Sequence, residues 1–275
     1  MSDKTKVVFS DLDSTLLRDD HRFSEYTKEI INEFCNKGGI FIPISARSIN
    51  NVMMLARVMG ILKYDGFLVA HNGGQIYDIK NDLMIVDEFV SKEIIKDIFE
   101  KTYGKVGKYK IHFFADKVTY SYGKAKNTEY WANVTKKEFK IIKNLDEIKD
   151  SIYLVTFILN ENASEIDVEE MHNTFKYDYT QFHKYTNRVY ELTPVTTSKG
   201  AAVEVVMNEL KKRGLDIETY AFGDGANDIT MFEKADHPIA MQNAVDILKT
   251  KAKKETKTNN NDGVATYIKE NIVKY

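Results

Sequence analysis

The chain has 275 residues, 43% hydrophobic and 29% charged, ordinary globular usage that excludes a disordered, collagen-like or coiled-coil chain. Its 39 Lys and Arg against 41 Asp and Glu leave a formal net charge of -2, without the basic excess of a dedicated nucleic-acid binder, so any bound anion must be captured locally. A single cysteine, Cys35, allows no internal disulfide, and no apolar run reaches signal-peptide or membrane-spanning length. The expected setting is therefore reducing and cytoplasmic, with no membrane contact and no obligate protein partner evident.

The first ninety residues alternate short apolar runs with helical patterns, the grammar of βαβ units. Val7 to Phe9 reads as a buried strand, Ser24 to Lys37 as a helix ended by Gly38 and Gly39, and Ile40 to Ile44 as a second strand. A helix over Ile49 to Met59 follows, with Met53, Met54 and Met59 assigned to core packing, and then a third strand over Phe67 to Ala70. Cys35 is expected as a small core or boundary residue. The same grammar returns in a helix over Ser198 to Arg213 closed by Gly214, a strand over Thr219 to Phe222 and an apolar run at Pro238 to Ala240. The lysine-rich stretch from Lys249 to Asn261 reads as a solvated helix or loop.

The middle differs, with aromatic-rich alternating runs and helical stretches near Ile94 and Val168. Residues 101 to 143 hold eleven lysines against three acids, and residues 144 to 170 one lysine against eight acids. The expected architecture is thus α/β: a Rossmann-like parallel-sheet core over 1–87 and 189–275, interrupted by an inserted α+β domain over 88–188.

In such sheets ligands bind beyond the carboxyl ends of the strands, and those positions are unusually polar here. The first strand runs into Asp11-Leu12-Asp13-Ser14-Thr15, the second into Ser45-Ala46-Arg47, and the late strand into Asp224-Gly225-Ala226-Asn227-Asp228. Asp11, Asp13, Asp224 and Asp228 are hard oxygen donors of the kind that suits Mg2+ with a substrate phosphate. Ser45 supplies a hydroxyl, and Arg47 and Lys199 supply positive charge. Any one of these alone reads as a turn, a cap or a solvated lysine; their joint placement points to a site. His71, after the third strand, reads as a turn residue.

With these residues in place, the chain resembles the haloacid dehalogenase superfamily phosphatases, specifically a Cof-like member with an inserted α/β cap. Asp11 to Leu16 matches the DxDGTL motif, Ser45-Ala46-Arg47 the [ST]GR segment, Ser198-Lys199-Gly200 the lysine motif, and Gly223 to Asp228 reads GDGAND. Asn72-Gly73-Gly74, Met241 to Ala244 and Asp262-Gly263-Val264 extend the match across the core. Ser14 and Ala46 stand where the motifs carry glycine, and Ser14 is strained if its position demands positive φ.

The resemblance implies that Asp11 is the nucleophile, forming an aspartyl-phosphate, and that Asp13 protonates the leaving alkoxide and then activates water. It implies Mg2+ on Asp11, Asp224 and the Asp13 carbonyl, with Asp228 holding Lys199 or a metal water. Ser45 and Lys199 then stabilise the phosphoryl group, and Arg47, Asn72 and Asn227 complete substrate binding. The expected substrate is a small phosphomonoester, a sugar phosphate first and a flavin or pyridoxal phosphate second. A phosphomutase and a catalytically silent metabolite sensor stay open; a phospho-acceptor signalling domain would need neither the inserted domain nor DxDxT. The inserted domain as a whole, through its basic first half with Tyr109, Phe113, Phe114, Tyr120, Tyr122 and Trp131, is expected to face the crevice and select the leaving group, while any one of these rings taken singly reads first as part of the domain's own core.

Overall fold

The structure, a computed structural model, describes residues 4–105, 108–123, 138–160, 162–184 and 186–273. Two compact units divide the chain: residues 1–87 with 197–275, and residues 88–196. The first unit begins β1 (Thr5–Asp11), α1 (Glu25–Asn36), β2 (Ile40–Ile44), α2 (Ile49–Met59), β3 (Phe67–Ala70), β4 (Gln75–Asp78) and β5 (Leu83–Asp87). The second contains α3 (Lys92–Thr102), β6 (Tyr109–Phe114), β7 (Val118–Gly123), β8 (Glu138–Ile141), β9 (Leu154–Leu159), α4 (Glu165–Thr174), β10 (Thr180–Lys184) and β11 (Val189–Pro194). The first resumes with α5 (Lys199–Lys212), β12 (Ile217–Gly223), α6 (Ile229–Phe232), β13 (His237–Met241), α7 (Asp246–Lys249), β14 (Lys254–Thr256) and α8 (Gly263–Tyr267).

The first unit is built on one sheet in the order β14-β13-β12-β1-β2-β3-β4-β5. It is parallel from β14 to β3, and β3, β4 and β5 continue it as antiparallel neighbours. Val7, Val8, Phe9, Ile42, Val69, Phe222 and Ile239 are completely enclosed, the pattern of strands covered on both faces. Removing each such side chain from water contributes about 1.5–3 kcal/mol. Local sequence sets the helix starts: the Ser24 hydroxyl accepts from the Thr27 amide at 3.0 Å to cap α1.

Three expectations change. Met54 is 53% exposed rather than packed in the core, because it points off the outer side of α2 while Val52, Ala56 and Met59 face inward. The lysine-rich stretch is no simple solvated loop; it contributes β14, an edge strand whose exposed Lys254 and Glu255 discourage further pairing at that edge. The chain returns to the first unit at 196/197, later than 188/189, because β11 pairs with β9 and β10 in the second sheet.

That second sheet runs β10-β11-β9-β6-β7-β8 and is antiparallel except between β7 and β8. Ile95 and Ile98 of α3 and Met171 of α4 share a core with Ile111, Phe157 and Leu192 of the sheet. Tyr109, Phe113, Tyr120 and Tyr122 belong to this core, so these rings stabilise the unit itself instead of presenting a ligand-facing surface. Trp131 lies outside the described residues. Among the described residues, no helix is long and apolar enough to cross a membrane.

Candidate active site

Register brings the chemistry together. Ser10 of β1 pairs with Phe222 of β12, and Asp11 pairs with Ile44 of β2, so Asp11, Ser45 and Asp224 leave three adjacent parallel strands at one edge. Beyond β1 the chain makes a tight turn over Leu12–Leu16, closed by the Leu17 amide on the Leu12 carbonyl at 2.7 Å. Ser14 in this turn has φ 57, the left-handed conformation that a side chain disfavours by about 1 kcal/mol or more. The strain foreseen for serine at a glycine position is therefore present.

Lys199 opens α5, yet its side chain is completely buried between two carboxylates, with Nζ 2.5 Å from Asp11 Oδ1 and 2.6 Å from Asp228 Oδ1. A cation at a helix N-terminus opposes the dipole, and the two anions outweigh that penalty. They hold the Lys199 ammonium above its ordinary pKa against the opposing effect of burial. The other Asp228 oxygen accepts from the backbone amides of Asp224 and Gly225, each at 3.0 Å. Gly223 is required beside it, since a Cβ there would stand 2.5 Å from the Asp228 carboxyl carbon.

Asp11, Asp224 and Asp228 offer carboxylate oxygens within 4.8 Å of one another. With one lysine among them, the cluster carries two uncompensated negative charges when ionised. Burial, with repulsion from Asp228 and Asp224, pushes Asp11 up to about 8 despite Lys199. Burial, with Asp228, pushes Asp224 up to about 6 although the Thr15 hydroxyl donates to it at 2.9 Å. Such a donor set fits a divalent cation, which would relieve the repulsion that burial amplifies.

Asp13 is arranged differently. Its side chain is 45% exposed, and its carboxylate is not one of the three that converge. Arg47 holds it through both oxygens, with Nε 2.8 Å from Oδ2 and the second nitrogen on Oδ1, while His21 Nδ1 lies 3.5 Å from Oδ1. Partial burial would raise the carboxyl, but Arg47 and then His21 hold it below the usual range. Ser45 is buried; its oxygen accepts from the Arg47 amide at 3.1 Å, leaving the hydroxyl hydrogen free to donate. The exposed Asn227 reaches the Asn72 side-chain oxygen at 3.5 Å. His71 is buried in the adjoining turn with φ 49.

All nine residues singled out from sequence lie in the first unit, at or just beyond the ends of β1, β2, β3 and β12 or at the start of α5. Thr15 and His21 were missed. Thr15 was part of the quoted motif, so its hydroxyl could have been flagged; nothing local in the sequence marks His21.

Residues 8–268 match the family model for haloacid dehalogenase-like hydrolases. The chain belongs to this family. It is similar to the 5-amino-6-(5-phospho-D-ribitylamino)uracil phosphatase YwtE of Bacillus subtilis, at 29% identity with 96% of each chain covered. YcsE of the same organism, which carries the same activity name, is also 29% identical, covering 96% of this chain and 94% of its own. Among solved structures, TM0651 from Thermotoga maritima is 25% identical with a TM-score of 0.79, covering 98% of both chains. This haloacid dehalogenase-like protein is a phosphoric monoester hydrolase.

Proposed function

We propose that this hydrolase cleaves small phosphomonoesters, sugar phosphates first among them, through an aspartyl-phosphate on Asp11 with Mg2+ as its cation. The charge count carries the reading: one buried ammonium faces three carboxylates, a deficit that one divalent cation balances. Asp11, Asp224 and the Asp13 carbonyl would hold the cation. Asp228, whose oxygens already engage Lys199 and two amides, would act mainly through that lysine or a metal-bound water. The cation would neutralise charge on the phosphoryl oxygens.

Asp11 attacks phosphorus in line, and its new O–P bond forms as the ester P–O bond breaks. Asp13 gives its proton to the departing alkoxide, then takes one from the water that attacks the aspartyl-phosphate, releasing inorganic phosphate and freeing Asp11. For Asp13 to carry that proton its ion pair with Arg47 must open, and an entering phosphate offers Arg47 an alternative bidentate partner. Lys199 and the Ser45 hydroxyl donate to the phosphoryl oxygens, with Asn72 and Asn227 at the rim.

The sugar-phosphate preference is supported by the two relatives named for a phosphorylated ribityl compound. The test is phosphate release from a panel of sugar phosphates, flavin and pyridoxal phosphates, with and without Mg2+. Steady release from sugar phosphates, abolished by chelation and restored by Mg2+, is expected. A phosphomutase would isomerise the sugar ester without net phosphate release, and a sensor would bind without turnover; either result overturns the proposal.

A further inference from the structure

The strained turn that carries Asp11 and Asp13 is gripped at two carbonyls by asparagines from distant loops. After β13, Asn243 Nδ2 donates to the Ser14 carbonyl at 2.8 Å. After β14, the buried Asn259 donates through Nδ2 to the Leu17 carbonyl and to Asp19 Oδ1, both at 3.0 Å. The two asparagines are themselves joined, because the Asn259 amide donates to Asn243 Oδ1 at 3.0 Å. The Asn243 side chain thus donates through its nitrogen and accepts through its oxygen, and the backbone N–H and side-chain nitrogen of Asn259 close the chain Ser14–Asn243–Asn259–Leu17.

We propose that Asn243, braced by Asn259, is a positioning residue: it holds the Ser14 peptide in the left-handed conformation and so keeps Asp11 and Asp13 aimed at one phosphorus. A serine at φ 57 prefers to relax toward negative φ, which would swing the Asp13–Ser14 peptide and with it Asp13 relative to Asp11. A displacement of about 1 Å at such groups costs up to about a hundredfold in rate. The clamp gives Asn243 of the Met241 to Ala244 segment a role that metal or phosphate binding does not, one that weighs most where position 14 is not glycine.

The inference rests on Asp11 and Asp13 as the reacting groups, so Asp11→Asn is measured in parallel. Asn243→Ala is expected to lower kcat about tenfold with KM changed less than about twofold, in a protein whose circular dichroism and elution are unaltered. In a Ser14→Gly background the same substitution should lower kcat less than about threefold, because glycine adopts positive φ freely. Asn243→Asp, which keeps an acceptor for Asn259 but cannot donate to Ser14, should behave like alanine, and this second variant guards against an effect of truncation on folding. A crystal structure of Asn243→Ala should show the Ser14 peptide displaced. Unchanged kcat in Asn243→Ala, or equal losses in both backgrounds, overturns the clamp even when Asp11→Asn is inactive. An active Asp11→Asn would overturn the assignment of the site, and the clamp with it.

Discussion

Replacing Lys199 by methionine, which has a comparable unbranched chain and no charge, isolates the role of its ammonium. The Lys199 side chain is fully buried, and those of Asp11 and Asp228 are 9% and 1% exposed, so no water can take over the lost interactions without rearrangement. Removing one partner of a buried ion pair costs about 3–5 kcal/mol, since an uncompensated charge is left behind. Each kcal/mol shifts Tm by about 2–4 °C in a domain of 150–250 residues, so metal-free Lys199→Met should melt about 6–20 °C below the parent protein. Adding Mg2+ should recover part of the difference, because a cation bound only by the folded state stabilises it by mass action. Turnover should stay lost even after stability returns, and Lys199→Arg should not restore it, since a planar fork cannot occupy the place of a compact ammonium. Thermal unfolding followed by circular dichroism, with chelator and then across an Mg2+ series, is the assay. A melting temperature within about 2 °C of the parent in chelator would refute the view that this lysine balances the carboxylates.

Asp11→Asn preserves shape but removes the proposed nucleophile, so phosphate release should fall by orders of magnitude; retention of more than about a tenth of parental turnover would contradict the assignment. Burial pushes the Cys35 thiol up to about 12, so a disulfide reagent at pH 8 should modify it only after urea unfolding, and rapid labelling of the native protein would show that the residue is accessible. Bonds from Lys6 and then His237 hold Glu218 at about 2, so its contribution to stability is present above the ordinary glutamate range and is lost as pH falls from about 5 toward 2. Glu218→Gln should therefore cost about 1 kcal/mol at pH 7, a figure reduced for partial exposure, and almost nothing near pH 2, as measured by urea unfolding. Equal costs at both pH values would disprove the linkage.

Periodicity and strand-end polarity made the core legible. The expected bounds of β2, α2 and β3 coincide with the observed ones, because short apolar runs bounded by helix caps and glycines are local signals. The convergence of Asp11, Ser45 and Asp224 was equally readable, since parallel strands place their carboxyl ends on one edge. What escaped depends on distance in space. The Arg47–Asp13 pair and the asparagine clamp on Ser14 join residues far apart in the chain, and the contact of His21 with Asp13 depends on how the intervening turn folds back; no spacing rule encodes them. For the aromatic run of the inserted unit, sequence leaves open which rings serve its own core and which a ligand, because alternation marks two faces without saying which one the helices cover. The end of that unit was misplaced because β11 alternates as any strand would, and only its pairing with β9 assigns it to the second sheet.

The position of β1 has a consequence for how the molecule is made. Its neighbour β12 lies about 200 residues later in the chain, so a ribosome adding 5–20 residues per second takes about 10–40 s to deliver it. During that interval β2 can pair on one side of β1, while the other side remains an open, unpaired edge around Val7, Val8 and Phe9, the kind that recruits foreign strands. Residues 88–196 emerge in the meantime with a hydrophobic core of their own. Asp11 and the distal carboxylates thus meet only in the last stage of synthesis: a nascent chain halted before Asp224 carries Asp11 without the other carboxylates of its cluster, and a slowed ribosome prolongs exposure of β1.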